Sequence, residues 1–265
     1  MIRLLFISLL FISCGGNISE YDKSQIVSYQ GQVETIKQDS LLVGIQEKIN
    51  NAFAQSFITK KNDELNLLDE KLENLYATKK NNIILYWKSY LKYYSSIYYS
   101  EKGDEETSEK EIDKGIDWLK EMKNKNSEDY ALLAMLQGFG IQFKGMKAMF
   151  ISGRIEDNLK KALSIDASNL RAYYVSASND FYTPEMYGGG KMAEEYLLKA
   201  ISLSAQKIKN DYLPSWGKEE SYVMLIKLYI KNEKWDLAKK YFKEGNDKYP
   251  ENYSMIQLAS QLIGK

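Results

Sequence analysis

The chain has 265 residues, 44% hydrophobic and 27% charged, which is enough for one or two packed domains and too apolar for disorder throughout. Its 36 Lys plus Arg balance 36 Asp plus Glu, so no basic field points to nucleic acid or to a polybasic membrane-surface protein. The absence of His and the single Cys exclude a Ser-His-Asp triad, a Cys-His pair, a His/Cys zinc site and an internal disulfide.

At the N-terminus, Arg3 precedes an apolar run from Leu4 to Ile12, and Ser13-Cys14-Gly15-Gly16 follows. Residues 1–13 therefore read as a signal peptide. An apolar run of about ten residues falls well short of the roughly twenty that a membrane-spanning helix needs. A small residue directly before a Cys at the end of such a run resembles the bacterial lipobox, with Phe11 where Leu is usual. That resemblance implies cleavage before Cys14 and its diacylation, and acyl chains contribute about 0.8 kcal/mol per buried CH₂. Gly15-Gly16-Asn17-Ile18-Ser19 contains neither an Asp nor an acidic cluster. By the resemblance this implies an outer-membrane lipoprotein facing the periplasm. Residues 14–38 are polar and mixed, without a sustained apolar period, and read as a tether.

From Ser40 onward apolar residues recur at helical spacing, as in Leu65, Leu68, Leu72 and Leu75, with charge on the opposite face. The periodicity predicts about eleven helices, over 40–58, 62–78, 80–101, 108–122, 128–150, 153–165, 169–183, 189–206, 218–232, 234–247 and 252–263. Ser108 and Glu111 have capping-box spacing, and Gly103, Gly153 and Gly188–Gly190 are expected between helices. Nothing alternates at period two. The expected class is all-α, either a bundle or a solenoid of antiparallel helix pairs.

Near the C-terminus Tyr222, Leu225, Tyr229, Ala238, Phe242, Gly245 and Pro250 follow in order. This resembles the tetratricopeptide repeat, with Tyr222 standing for the usual Trp and Ile226 for the usual Gly. The second-helix signature, small-x₃-large-x₂-small, recurs as Ala193, Leu197 and Ala200, and more weakly as Ile155, Leu159, Ala162 and as Ser108, Ile112, Gly115. Spacings of 47, 38 and 45 residues between successive signatures exceed the 34 of the regular repeat, so each unit carries insertions. The resemblance implies that residues 39–265 form a degenerate α-solenoid in which stacked helix pairs complete one another's core and Asn252–Lys265 caps the end.

The resemblance further implies that the first helix of each pair lines a concave groove. Carried over by position, Arg171, Tyr174, Ser178, Phe181 and Tyr182 in one repeat, and Glu220, Val223, Lys227 and Ile230 in the next, are the expected partner-binding residues. Two insertions, 183–190 and 212–217, combine Pro, Gly and the aromatics Tyr187 and Trp216; either they close over a groove ligand or they are wide turns packed on the solenoid edge. The 183–190 loop looks like extended repeats in lipid-anchored bacterial tetratricopeptide proteins, some of them accessory to solute transporters. Seven of the 21 Tyr and four Trp fall in one stretch, Tyr86, Trp87, Tyr90, Tyr93, Tyr94, Tyr98 and Tyr99, and so span more than one helix face.

Other motifs fail on their own chemistry. Gly190-Lys191 is followed by Met192 rather than Ser or Thr, so a phosphate-binding loop is not formed. Gly138-x-Gly140 has Phe143 where a third Gly belongs, and helix contact accounts for it better than a dinucleotide. Asp104, Glu105 and Glu106 lack the ligand alternation of a calcium loop. No cofactor and no transition metal are expected. The expected function is a noncatalytic, lipid-anchored scaffold that binds a protein or peptide in the cell envelope. The alternative is a solute- or glycan-binding accessory lipoprotein of an uptake system, for which a closed aromatic pocket of about 300–1,000 Å³ would speak.

Overall fold

The computed structural model describes residues 39–265, and among them the apolar periodicity becomes eleven α-helices with no strand. These are α1 (Ile45–Thr59), α2 (Asp63–Thr78), α3 (Asn82–Glu101), α4 (Glu105–Glu121), α5 (Ser127–Gly140), α6 (Ala148–Ile165), α7 (Leu170–Tyr182), α8 (Ala193–Ser202), α9 (Lys218–Lys231), α10 (Trp235–Lys248) and α11 (Tyr253–Leu262). Short connections make α3/α4, α5/α6, α7/α8 and α9/α10 antiparallel pairs. The first helices also meet in sequence, α3 to α5 to α7 to α9 to α11, and each second helix meets the next pair's first. This is the stacking of a helical solenoid.

Several boundaries differ from the periodicity: α1 begins at Ile45 rather than residue 40, and α8 spans Ala193–Ser202 rather than 189–206. The capping box expected at Ser108 is absent, because α4 begins a turn earlier with the Asp104 carboxylate accepting from Thr107 N at 3.1 Å. Ser108 is instead buried, exchanging hydroxyl contacts with Ser96 of α3. The single helix expected over 128–150 breaks at Ile141 into two 3-10 turns, with Gly145 at φ +50°. Consequently Gly153 lies inside α6 rather than between helices.

The core centres on α3, where 13 of 20 residues are buried, as expected of a helix apolar nearly all round. Lys88 and Lys92 are buried within it and depend on partners for that reason. Lys92 bridges Asp69 of α2 at 2.9 Å and Glu111 of α4 at 2.6 Å. Burial opposes its charge, but the two carboxylates outweigh that and hold the amine above its ordinary value. Lys88 reaches Glu73 at 2.5 Å and lies 3.9 Å over the Trp118 ring.

Close approach between helices is set by small residues. A Cβ on Gly115 would fall 2.9 Å from Leu136 and 3.1 Å from Lys92, and one on Gly138 would fall 2.7 Å from the Asn179 side chain. The glycines of 138–140 are thus helix contacts. At the C-terminus, Met255, Leu258 and Leu262 of α11 close the apolar faces of α9 and α10. No described helix is long and apolar enough to cross a membrane.

Candidate functional site

The segment between α8 and α9 ties the first helices of the stack together. Gln206 folds it by donating to the carbonyls of Asn210, Leu213 and Pro214 at 2.9, 2.8 and 3.2 Å. The segment then reaches back to the start of the described chain. Gly44 N donates to Asp211 O at 3.0 Å, and the Gln46 side-chain carbonyl accepts from Ser215 N and Trp216 N at 2.8 and 3.1 Å. Trp87 Nε1 donates to Tyr212 O at 2.9 Å, and Trp216 Nε1 donates to Tyr86 Oη at 2.8 Å. Residues about 170 apart in sequence are therefore tied together, with Trp216 buried among α1, α3 and α7.

Gly217 makes this entry possible. Its φ of +102° lies in the left-handed region, and a Cβ there would fall 2.7 Å from Leu170. The Glu220 carboxylate accepts from Gly217 N at 2.7 Å at the start of α9, which commits one of its oxygens.

Beyond Trp216 lies an aromatic lining. Phe53, Tyr94, Tyr93 and Phe139 form a chain with successive ring centroids 4.7, 5.4 and 5.5 Å apart. Tyr90 joins it to Trp216, lying 5.1 Å from Tyr94 and stacked 6.1 Å from Trp216, and Tyr174 meets the other side of Trp216 at 6.1 Å. Phe53, Tyr93, Tyr94, Phe139 and Tyr174 each keep part of their surface open. Tyr90 and Tyr94 share a hydroxyl contact of 3.2 Å, whereas the Tyr93 and Tyr174 hydroxyls make no hydrogen bond among the described residues.

Burial pushes the Tyr93 phenol up to about 12, with the Glu220 charge adding to it, and raises Tyr94 and Tyr174 further for the same reasons. Burial likewise raises the Glu220 carboxyl, against the backbone hydrogen bonds that it accepts. Phenols held neutral are poor bases and poor nucleophiles at neutral pH, so the tyrosines of the lining offer hydroxyl donors and ring faces.

Of the residues expected in the groove, Tyr174 and Ser178 are half-buried on α7, and Phe181 is half-buried under Lys231, whose amine lies 5.5 Å from its ring. Tyr182 and Lys227 are exposed. Arg171 is placed differently. Its guanidinium is buried, paired with both oxygens of Glu128, and donates to Ala205 O and Trp216 O at 3.0 and 3.1 Å. Val223 is buried with Tyr222, Ile226, Met255 and Leu258, because α11 covers that face of α9. Ile230 packs between the two C-terminal clusters. Tyr187 is exposed on its loop, and Trp216 is internal. Cys14 lies outside the described residues. Tyr93 and Tyr94 belong to the aromatic-rich stretch noted in the sequence, whereas nothing in the local pattern marks Phe53, Phe139 or Gln46.

At the opposite edge, a cavity of about 190 Å³ lies between the turns before α5 and α7 and the 204–214 segment, lined by Asn126, Asp166, Asn169, Arg171, Gln206 and Lys207 among others. It has no aromatic wall. Among the described residues no group of three or more metal-ligating acidic, His or Cys side chains occurs. No protein-family model matches this chain, and neither a curated protein nor a solved structure matches it.

Proposed function

We propose that this chain is a lipid-anchored, tetratricopeptide-like scaffold of the bacterial cell envelope that holds a segment of a protein or peptide partner against its concave aromatic lining. The fold is a helical scaffold of stacked pairs. The observation that carries the partner reading is the run of part-open rings Phe53, Tyr94, Tyr93 and Phe139, joined through Tyr90 and Trp216 to Tyr174, in which the Tyr93 and Tyr174 hydroxyls make no hydrogen bond among the described residues. Tyr supplies large contact area with two rotatable bonds and a polar tip, which is the chemistry of recognition anchors. A solute-binding accessory calls for a closed aromatic pocket, and neither the cavity of about 190 Å³ beside Arg171 nor the open one of about 550 Å³ beside Lys48 and Lys71 has an aromatic wall. The test is capture of the partner from membranes by the full chain and by the Tyr93→Phe/Tyr174→Phe variant. Phe keeps the packing and removes two hydrogen bonds, so retention should fall by about tenfold or more with thermal unfolding unchanged. Equal retention would remove the support for this face.

A further inference from the structure

The turns that link first and second helices within the two middle pairs share one edge of the solenoid, since α5 and α7 run side by side at Gly138 and Asn179. Both turns project apolar side chains into solvent. Met146 is 97% exposed, Met149 77% and Phe150 69% on the turn into α6, and Met186 is 81% and Tyr187 74% exposed on the turn into α8. The end of α1 reaches the same edge, where Phe57 meets Tyr98 at 5.8 Å and Ile58 is exposed.

This exposure is built into the backbone. Tyr187 N and Gly190 N donate to Pro184 O and Asp180 O at 2.8 Å each, and the Asp180 carboxylate accepts from Met192 N and Ala193 N at 2.8 Å. Gly189 passes so close to the Thr183 carbonyl that a Cβ would fall 2.0 Å from it. The loop is a folded projection with its two apolar residues at the tip. Basic groups flank the tips. Lys144 bridges Glu109 and Asp113 at 2.7 and 2.6 Å, whereas Lys147, Arg154 and Lys191 form no ion pair among the described residues; Glu185 lies on the second turn, and Glu156, paired with Lys160, and Asp157 follow Arg154 on α6.

We infer that this edge docks on a lipid bilayer, with Met146, Met149, Phe150, Met186 and Tyr187 entering the interfacial region and Lys147, Arg154 and Lys191 meeting anionic headgroups. The tips are protrusions, so a protein partner would have to supply pockets for them, whereas a bilayer accepts convex apolar tips as they are. Methionine and aromatic tips ringed by long cations match the interface, where rings sit at headgroup depth and cations reach outward. The geometry of anchoring permits it. The roughly 25 residues from Cys14 to Asp39 span at most about 90 Å, and the length of α3, about 30 Å, separates the entry of α1 from this edge.

Cys14 is the only cysteine, so the Cys14→Ser chain accepts a single probe, and removing the acylation site keeps this test independent of the lipid-anchor reading. An environment-sensitive fluorophore is placed at Met146→Cys, at Met186→Cys, or at Lys209→Cys on the opposite edge, and vesicles of phosphatidylcholine with about 30% phosphatidylglycerol are added. The Leu4–Ile12 run can itself bring the chain to the vesicle, so the readout is quenching by spin-labelled lipid rather than partition alone. Probes at 146 and 186 should be quenched at least threefold more than the probe at 209, on the order expected for interfacial insertion. Replacing the four apolar tip residues that do not carry the probe with Ser should lower that difference to nothing while unfolding stays the same. Equal quenching at the two edges would overturn the inference. So would a shift of the 146 and 186 probes without vesicles as protein concentration rises, which would assign the edge to a second copy of the chain.

Discussion

Replacing Arg171 with Ala separates a clamp from a groove contact. The guanidinium is buried, paired with Glu128 at both oxygens, bonded to the carbonyls of Ala205 and Trp216, and 5.8 Å from the Trp216 ring. It therefore joins α5, α7 and the segment between α8 and α9. Removing one partner of a buried, hydrogen-bonded pair leaves the other charge uncompensated and costs about 3–5 kcal/mol. At about 2–4 °C per kcal/mol for a chain of this size, the midpoint should fall by roughly 10 °C. Thermal unfolding followed by circular dichroism and by Trp fluorescence measures it, Trp216 being one of four reporters. Arg171→Met together with Glu128→Gln should recover much of the loss, since no buried charge is then left alone. A stable Arg171→Ala chain that loses only its partner would refute the clamp and return Arg171 to the groove.

Other perturbations follow from the same packing. Asp129 is fully buried, its carboxyl is pushed up to about 7 by that burial, and one of its oxygens has no hydrogen-bond partner. A raised carboxyl binds its proton more tightly when folded, so its support is present at low pH and is lost as pH rises from about 4 through about 7. The upper bound is roughly 4 kcal/mol, and Asp129→Asn should flatten that slope in denaturation series at several pH values. Ala177 is fully buried between α7 and α8, so Ala177→Leu should destabilise by about 1–3 kcal/mol through overpacking, seen as a lower unfolding midpoint without a direct binding effect. Cys14→Ser should abolish incorporation of a labelled fatty acid into the chain in cells, and unchanged incorporation would remove the lipid anchor from the account.

The helices and their pairing were legible because they rest on local periodicity and on small residues at close contacts, such as Gly115, Ala162, Ala200 and Gly245. The break at Ile141 was not, because Gly140 and Gly145 leave the apolar period nearly intact while only the φ of Gly145 requires the turn. The groove was legible in part. A repeat register assigns α7 residues to a concave face, but it carries no information about a segment inserted between repeats. That segment converts Arg171 from a surface residue into the partner of two carbonyls and a carboxylate, and the terminal helix α11 does the same to Val223 by covering it. Phe53, Phe139 and Gln46 enter the site through contacts between distant residues, and no short pattern could announce them.

The most direct test of the concave face as the recognition surface is site-specific photo-crosslinking in cells. A benzophenone amino acid at position 174, on the lining, is compared with one at position 160, exposed on α6. The account predicts a discrete adduct with an envelope protein from position 174 and none from position 160. Adducts of equal yield at both positions, or at 160 alone, would contradict it.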